Sequence, residues 1–284
     1  ALVCEGHLLI EGMPGLGKTL SVNAMAKLCD LAFKRIQFTP DLLPSDLIGT
    51  MIYSQQNEEF STKFGPIFTQ LLLADEINRS PAKVQSALLE AMAEKQVTIG
   101  DETHRLSSPF VVMATQNPID QEGTYTLPEA QLDRFMMKIY VDYPDFAAEK
   151  SILSLKNNPL EDLNSMLSTD DFLQLQEQVE SVYVDEKLKD LIVKMVHATR
   201  PSSKYFPHKY KGAVLAGASP RASIWLYKIG RFVAYMDGKD YVSPEHVLKI
   251  LPSVLGHRVL LTYEAAVDNM NSRDVALDIA KNVI

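Results

Sequence analysis

The chain has 284 residues, of which 46% are hydrophobic and 23% are charged, a composition that is typical of globular proteins and excludes fibrous or disordered ones. The formal net charge of −8 at pH 7 argues against a nucleic-acid-binding surface, because an acidic protein repels phosphate groups. We find no apolar run of the roughly eighteen residues that a transmembrane helix needs, and no signal peptide. The two cysteines, Cys4 and Cys29, are too few for a disulfide framework and fit a reducing compartment, so we predict a cytoplasmic protein.

Strand and helix signals alternate through the first half of the sequence. The apolar residues 8–10 predict a strand so close to residue 1 that we expect an upstream segment to be missing from the chain. A glycine-rich loop follows, and then a predicted helix over residues 19–32. Later elements are a helix that starts at Ser80-Pro81 and strands at 33–39, 71–75, 110–117 and 136–144. This alternation predicts an α/β fold with a parallel sheet.

Beyond residue 143 the strand signals end and helical patterns dominate. Apolar residues recur at helical spacing over residues 172–182 and 188–196. Ser219-Pro220 and Ser243-Pro244 are typical of helix starts, with serine as N-cap and proline in the first turn. We therefore predict two domains, an α/β core over residues 1–143 and an all-α domain over residues 144–284.

A glycine-rich motif follows the first predicted strand. Residues 12–19, GMPGLGKT, match G-x-x-x-x-G-K-[ST] between a strand and a helix, the context in which this motif binds nucleotide phosphates. Its glycines let backbone N–H groups turn inward around phosphates, and the helix N-terminus adds its positive end. Lys18 is expected to reach the β- and γ-phosphates of ATP, and the Thr19 hydroxyl to bind Mg²⁺. The alternative is a glycine-rich turn with a surface lysine. The predicted nucleotide-binding residues are Gly12, Met13, Pro14, Gly15, Leu16, Gly17, Lys18, Thr19 and Leu20.

Polar residues stand at the ends of two further predicted strands. Asp75 and Glu76 follow the apolar run 71–74, at the carboxyl end of a strand where open α/β sheets bind ligands. Asp75 is expected to hold Mg²⁺ through water, and Glu76 to act as the general base on the attacking water. Asn117 ends the next strand, where its amide can bond the γ-phosphate or that water. The alternatives are an acid that caps the next loop and a turn-forming asparagine before Pro118.

Two arginines are further candidates. Arg134 lies 17 residues past Asn117 and just before the last predicted strand, and its alternative role is a salt bridge with Asp133 or another neighbour. Arg221 falls in the first turn of the helix that begins after Ser219, a position that favours anions and where a guanidinium can grip a phosphate. Its alternative role is that of a solvated helix residue.

Five segments in this order, GMPGLGKT, LLLADEINRSP, ATQNP, EGTYTLPEAQLDRF and GASPRA, closely resemble the MoxR family of AAA+ ATPases. The resemblance covers nearly the whole chain and implies a P-loop ATPase core with a C-terminal helical lid. It implies sensor-1 and sensor-2 roles for Asn117 and Arg221, and makes Arg134 an arginine finger that acts on ATP in a neighbouring subunit of a hexameric ring. Thr126 departs from a common proline, and the leading segment that helps enclose adenine is absent or short, so the adenine contacts stay unassigned.

Two polar stretches are predicted hairpins. Residues 51–64 resemble the hairpin inserted into helix 2 of this clade, which includes magnesium chelatase subunits and MCM helicases. The second stretch, 95–107, turns at Gly100-Asp101. In rings of this type such hairpins often face the central pore, and the alternative is two surface hairpins without a partner.

The resemblance implies a Mg-dependent ATP hydrolase that remodels or matures partner proteins, often proteins with a von Willebrand factor A domain. One alternative is a DNA-acting motor related to MCM helicases, which is expected to line its pore with basic residues. The first hairpin instead offers Lys63 against Glu58 and Glu59. Another alternative is a non-hydrolysing, nucleotide-gated scaffold, against which the presence of Glu76 argues, together with Asn117 and Arg134.

Overall fold

The computed structural model describes residues 1–55, 58–118, 125–154, 160–161 and 163–284. The chain forms two compact units, one of residues 1–127 with 139–172 and the other of residues 128–138 with 173–284. These divisions do not coincide with the predicted boundary after residue 143. Residues 166 and 167 stay with the first unit because their N–H groups donate to the Leu28 carbonyl. Where the lid begins as a domain remains a prediction.

The first half of the chain alternates strands and helices, as the sequence predicts. Its elements in order are β1 (Leu8–Gly12), α1 (Lys18–Leu28), β2 (Phe33–Gln37), α2 (Pro44–Ile48), β3 (Gly49–Ser54), β4 (Glu59–Phe64), β5 (Leu71–Asp75), α3 (Ala82–Glu94), β6 (Gln96–Ile99), β7 (Glu102–Arg105) and β8 (Val111–Gln116). Next come α4 (Glu129–Leu132) of the second unit, β9 (Met137–Val141), which enters the first unit at residue 139, and α5 (Phe146–Ile152).

Two helix boundaries differ from the predictions. Helix α1 ends at Leu28 rather than near residue 32, because Cys29 caps it and Asp30 takes a left-handed φ of 48°. Helix α3 begins at Ala82, so Pro81 is its N-cap and Ser80 lies one residue before the cap. The Ser80 hydroxyl donates instead to the Ile77 carbonyl.

A parallel sheet forms the core of the first unit, which confirms the predicted fold class. Within the described residues its strand order is β2-β5-β8-β1-β9, and the pairs β2–β5, β5–β8 and β8–β1 are parallel. All five residues of β5 are buried, and so are the first five of β8. Because parallel strands end at one edge, Gln37, Asp75 and Gln116 lie along the same side of the sheet.

Both predicted hairpins are present. Strands β3 and β4 pair antiparallel from Gly49↔Phe64 to Ser54↔Glu59, and residues 56–57 at the tip lie outside the described residues. Strands β6 and β7 pair from Gln96↔Arg105 to Ile99↔Glu102, around Gly100 with its left-handed φ of 61°. The first hairpin exposes large apolar side chains at Met51, Ile52, Tyr53, Phe60 and Phe64.

The second unit is mainly helical. Its further elements are α6 (Thr169–Ser181, whose first residues are counted with the first unit), α7 (Glu186–Ala198), β10 (Val214–Ala216), α8 (Pro220–Met236), α9 (Pro244–Leu255), β11 (Leu260–Leu261), α10 (Tyr263–Val267) and α11 (Ser272–Lys281). Helices α8 and α9 begin after the N-caps Ser219 and Ser243, as predicted. Helix α9 packs against α8 and α11, and α7 packs against the same two helices. In the part of the chain that the structure describes, we find no helix with the length and apolarity needed to cross a membrane.

Candidate nucleotide-binding site

A cavity of about 380 Å³ lies at the carboxyl ends of the sheet strands in the first unit. It brings together residues 14–20 of the glycine loop with Asp75, Glu76 and Asn117, which the sequence places after three different strands. Of the site residues predicted for this unit, Gly12 and Met13 do not line the cavity, and the others do. The cavity is also lined by three residues that the sequence analysis did not single out, Arg35, Gln37 and Thr115.

Two glycines of the loop have separate structural reasons to be glycine. Gly17 caps helix α1 with a φ of 73°, a left-handed conformation that a side chain strains. Gly12 ends β1 against β9, and a Cβ on it would lie 2.6 Å from the Val141 carbonyl oxygen. The loop therefore turns directly from the sheet into the N-terminus of α1, a geometry that suits phosphate binding.

Lys18 lies across this loop. Its Nζ donates to the Gly12 carbonyl oxygen at 2.5 Å. Partial burial lowers the pKa of Lys18 from its ordinary value, although the nearby charges of Asp75 and Glu76 act to raise it. The side chain is thus already held beside the segment that the motif assigns to the phosphates.

Asp75 accepts hydrogen bonds from three sides. Thr115 donates to its Oδ1 at 2.6 Å, Arg35 donates to its Oδ2 at 2.6 Å, and the Thr19 hydroxyl lies 3.4 Å from the same Oδ2. Burial by itself would raise the pKa of Asp75, but the bonds from Thr115 and Arg35 and the Arg35 charge outweigh burial and lower that pKa. The carboxylate is therefore kept ionised.

Glu76 is held in a strained backbone conformation with φ 56° and ψ 51°. Its N–H donates to the Thr115 hydroxyl at 2.8 Å, so this single hydroxyl serves both acids. The Glu76 carboxylate accepts a hydrogen bond from Gln37 Nε2 at 2.9 Å and forms an ion pair with Arg79, whose Nε lies 2.9 Å away. The predicted base thus faces the cavity with two neighbours bonded to it.

The donor set fits a magnesium ion. Mg²⁺ usually takes one or two protein oxygens and completes its octahedron with water and substrate phosphate oxygens. The Thr19 hydroxyl and the Asp75 carboxylate form such a pair beside the glycine loop. Among the described residues we find no cluster of three or more His, Cys, Asp or Glu side chains that could hold another metal.

Asn117 lies just past the end of β8 and is largely buried, with 9% of its surface exposed. The backbone carbonyl oxygen of Asn117 accepts a hydrogen bond from Asn78 Nδ2 at 3.3 Å, which ties the end of β8 to the segment after β5. Since Asn117 also lines the cavity, its position suits the predicted contact with phosphate or water.

The two predicted arginines belong to the second unit. Arg134 follows helix α4, and Arg221 is the second residue of α8. Asp133, the alternative partner proposed for Arg134, is bonded to Arg221 Nη1 at 3.4 Å and to Arg258 Nε at 2.9 Å. Their predicted roles toward nucleotide remain predictions.

Comparison with known proteins decides the family. The family described as "ATPase family associated with various cellular activities (AAA)" matches residues 7–137, and the "AAA lid domain" matches residues 211–279. Chaperone MoxR1 of Mycobacterium tuberculosis is 49% identical over 270 residues, which cover 95% of this chain and 72% of that protein. The chain is a member of the MoxR family of AAA+ ATPases.

Other relatives agree with this family and fold. The uncharacterized protein YeaC of Bacillus subtilis is 45% identical over 285 residues, covering 100% of this chain and 86% of YeaC. A crystal structure of a protein from Cytophaga hutchinsonii, provisionally named an ATPase, superposes with a TM-score of 0.91 at 49% identity, over 99% of this chain and 86% of that one. This MoxR-family chain is accordingly an enzyme that hydrolyses ATP, with an AAA+ core and a lid domain.

Proposed function

We propose that this MoxR-family chain binds ATP with Mg²⁺ in the cavity of the first unit, through the glycine loop, Lys18, Thr19 and Asp75. The convergence of the loop with Asp75 and Glu76 in one cavity carries the proposal. Lys18 contacts the β- and γ-phosphates, Asn117 orients the γ-phosphate or the water, and Mg²⁺ neutralises charge on the phosphates.

Glu76 is the general base in this proposal. Its carboxylate accepts a hydrogen bond from Gln37 and forms an ion pair with Arg79. Both contacts reach Oε2, and a carboxylate has about four lone-pair sites, so Glu76 can take a proton from the attacking water while it keeps both partners. The hydrogen bond from the Glu76 N–H to Thr115 holds its strained backbone and so positions the carboxylate in the cavity.

Hydrolysis is proposed to take place in a homo-oligomeric ring of six subunits. Arg134 acts as the arginine finger on ATP bound by the neighbouring subunit, and Arg221 contacts the nucleotide of its own subunit. A finger supplied by a neighbour is worth about 10³–10⁵ in rate in well-studied cases. Activity per subunit therefore depends on assembly.

We propose that ATP hydrolysis drives the remodelling of a partner protein in the cytoplasm. Proteins with a von Willebrand factor A domain are candidate partners. A MoxR relative carries the name chaperone. The exposed surface of the first hairpin also favours a protein over DNA, because it displays Tyr53 and Phe60 in ring contact, with centroids 5.2 Å apart, rather than a row of basic groups. A pull-down with the hydrolysis-deficient Glu76→Gln chain is expected to retain the partner protein in the presence of ATP.

A mixing experiment tests the ring. Arg134→Ala and Glu76→Gln are each expected to be inactive, and their mixture is expected to recover part of the activity. An interface that joins an intact Glu76 to an intact Arg134 contains one complete site. If the mixture stays inactive while native mass spectrometry shows mixed rings, the finger role of Arg134 is wrong.

A further inference from the structure

Arg258, which follows helix α9, is buried in the second unit with only 1% of its side chain exposed. A guanidinium has five N–H donors, and all five are used here. Nε donates to Asp133 Oδ1 at 2.9 Å, Nη1 donates to the carbonyls of Met136 and Val254, and Nη2 donates to the carbonyls of Asp133 and Phe135. A buried charge is tolerated only when it is paired and bonded in this way.

Three of the four carbonyls that Arg258 binds lie within residues 133–136, on both sides of Arg134. This stretch connects the end of α4 to the start of β9 at residue 137. Its residues Phe135 and Met136 are fully buried, and their carbonyls bond Arg258, with the neighbouring His257 Nε2 also 3.3 Å from the Phe135 oxygen. Arg258 therefore fixes the backbone that carries Arg134.

The carboxylate of Asp133 links the same stretch to helix α8. Besides Arg258 it meets the Ser219 hydroxyl at 2.8 Å and Arg221 Nη1 at 3.4 Å. Ser219 is the N-cap of α8, and its Oγ accepts the Arg221 N–H at 3.2 Å. One carboxylate thus joins the backbone beside Arg134 to the helix start that carries Arg221.

We propose that Arg258 and Asp133 are positioning residues for ATP hydrolysis, which hold Arg134 and Arg221 in a fixed relation to each other within the second unit. The proposal rests on the nucleotide roles proposed above for these two arginines. Neither Arg258 nor Asp133 contacts substrate in it. A displaced finger loses transition-state contact while the glycine loop in the first unit still binds ATP.

Arg258→Lys tests the proposal because lysine keeps the charge but cannot form the planar set of five bonds. We expect kcat to fall about 10- to 10²-fold, the range that a misplacement of about 1 Å produces, with a smaller rise in the KM for ATP because the glycine loop still binds the phosphates. Arg231→Lys is the control, since Arg231 lies in the same unit ten residues past Arg221, with its guanidinium over the Tyr227 ring at 4.6 Å from the centroid, a contact that lysine can also make. The control is expected to keep wild-type kcat.

Mixing separates the loss of the finger from general damage. Arg258→Lys mixed with Glu76→Gln is expected to recover part of the activity that the Arg134→Ala mixture recovers. The Glu76→Gln chains supply intact fingers, whereas Arg221 of the Arg258→Lys chain stays displaced in its own site. Trp225 fluorescence reports folding of the second unit, and if Arg258→Lys is unfolded, Asp133→Asn takes its place with the same expectations. An unchanged kcat, or no recovery in mixed rings under conditions where the Arg134→Ala mixture recovers, overturns the positioning role. If the Arg134→Ala mixture also fails, the finger proposal itself is wrong, and the positioning role with it.

Discussion

Replacing Thr115 by valine should loosen both acids of the site at once, without opening a cavity. Valine has the shape of threonine but lacks the hydroxyl that donates to Asp75 at 2.6 Å and accepts the Glu76 N–H at 2.8 Å. A hydrogen bond to a charged group contributes about 1.5–3 kcal/mol, and an unsatisfied buried donor costs about 1–3 kcal/mol. Because Glu76 is only partly buried, water relieves some of the second cost. We expect a loss of about 2–3 kcal/mol.

Hydrogen exchange of peptides that cover β5 and β8 measures this loss locally. The expected change corresponds to amide opening that is about 30- to 150-fold more frequent in Thr115→Val than in the wild type. Thr115→Ser keeps the hydroxyl and is the matched control. Because the pKa of Asp75 is lowered in the folded protein, its ionised form stabilises the fold at pH values above the ordinary pKa of 3.8, and this contribution is lost as pH falls through the lowered pKa. The difference in amide exchange between the variants should therefore shrink only in acid. Equal exchange in the valine and serine variants would refute the shared role of this hydroxyl.

Three further changes probe the same site. Lys18→Ala should weaken ATP binding about 10- to 10²-fold in calorimetry, because a charged donor to the phosphates is lost; equal affinities would contradict the phosphate role. Gly12→Ala places a Cβ 2.6 Å from the Val141 oxygen and should destabilise the protein by about 1–3 kcal/mol in thermal unfolding, so an unchanged melting temperature would show that β9 yields freely. Arg35→Gln should raise the pKa of Asp75 in an NMR titration but cost only about 1 kcal/mol or less in stability, since Arg35 is half exposed; an unchanged pKa would mean that the ion pair is not formed in solution.

Local signals made part of the site predictable. The residue spacing of the glycine loop with Lys18 and Thr19 identifies a phosphate-binding motif. Asp75 and Glu76 are identified by their position after a buried apolar strand. In each case the relevant physics acts over a few neighbouring residues. The same holds for the two hairpins, whose alternation and turn residues lie next to each other in the chain.

The missed residues depend on strand order and on distant packing. Arg35 and Gln37 act on Asp75 and Glu76 because β2 lies next to β5, with Gln37 opposite Asp75 in the register. Thr115 lies two residues before Asn117 and lines the same cavity, so a search at the period-two spacing of strands from Asn117 could have found it. Arg258 meets Asp133 across 125 positions of sequence, and nothing near it distinguishes it from an ordinary surface arginine.

The second unit is discontinuous in sequence, which limits how this protein can be dissected. A truncated chain that ends at residue 143 retains Asp133 but lacks Ser219, Arg221 and Arg258, the groups that bond its carboxylate. Such a fragment would lose the Arg258 hydrogen bonds to the buried carbonyls of Phe135 and Met136. We expect it to aggregate, so that a soluble core for separate study must either omit residues 128–138 or carry compensating substitutions there.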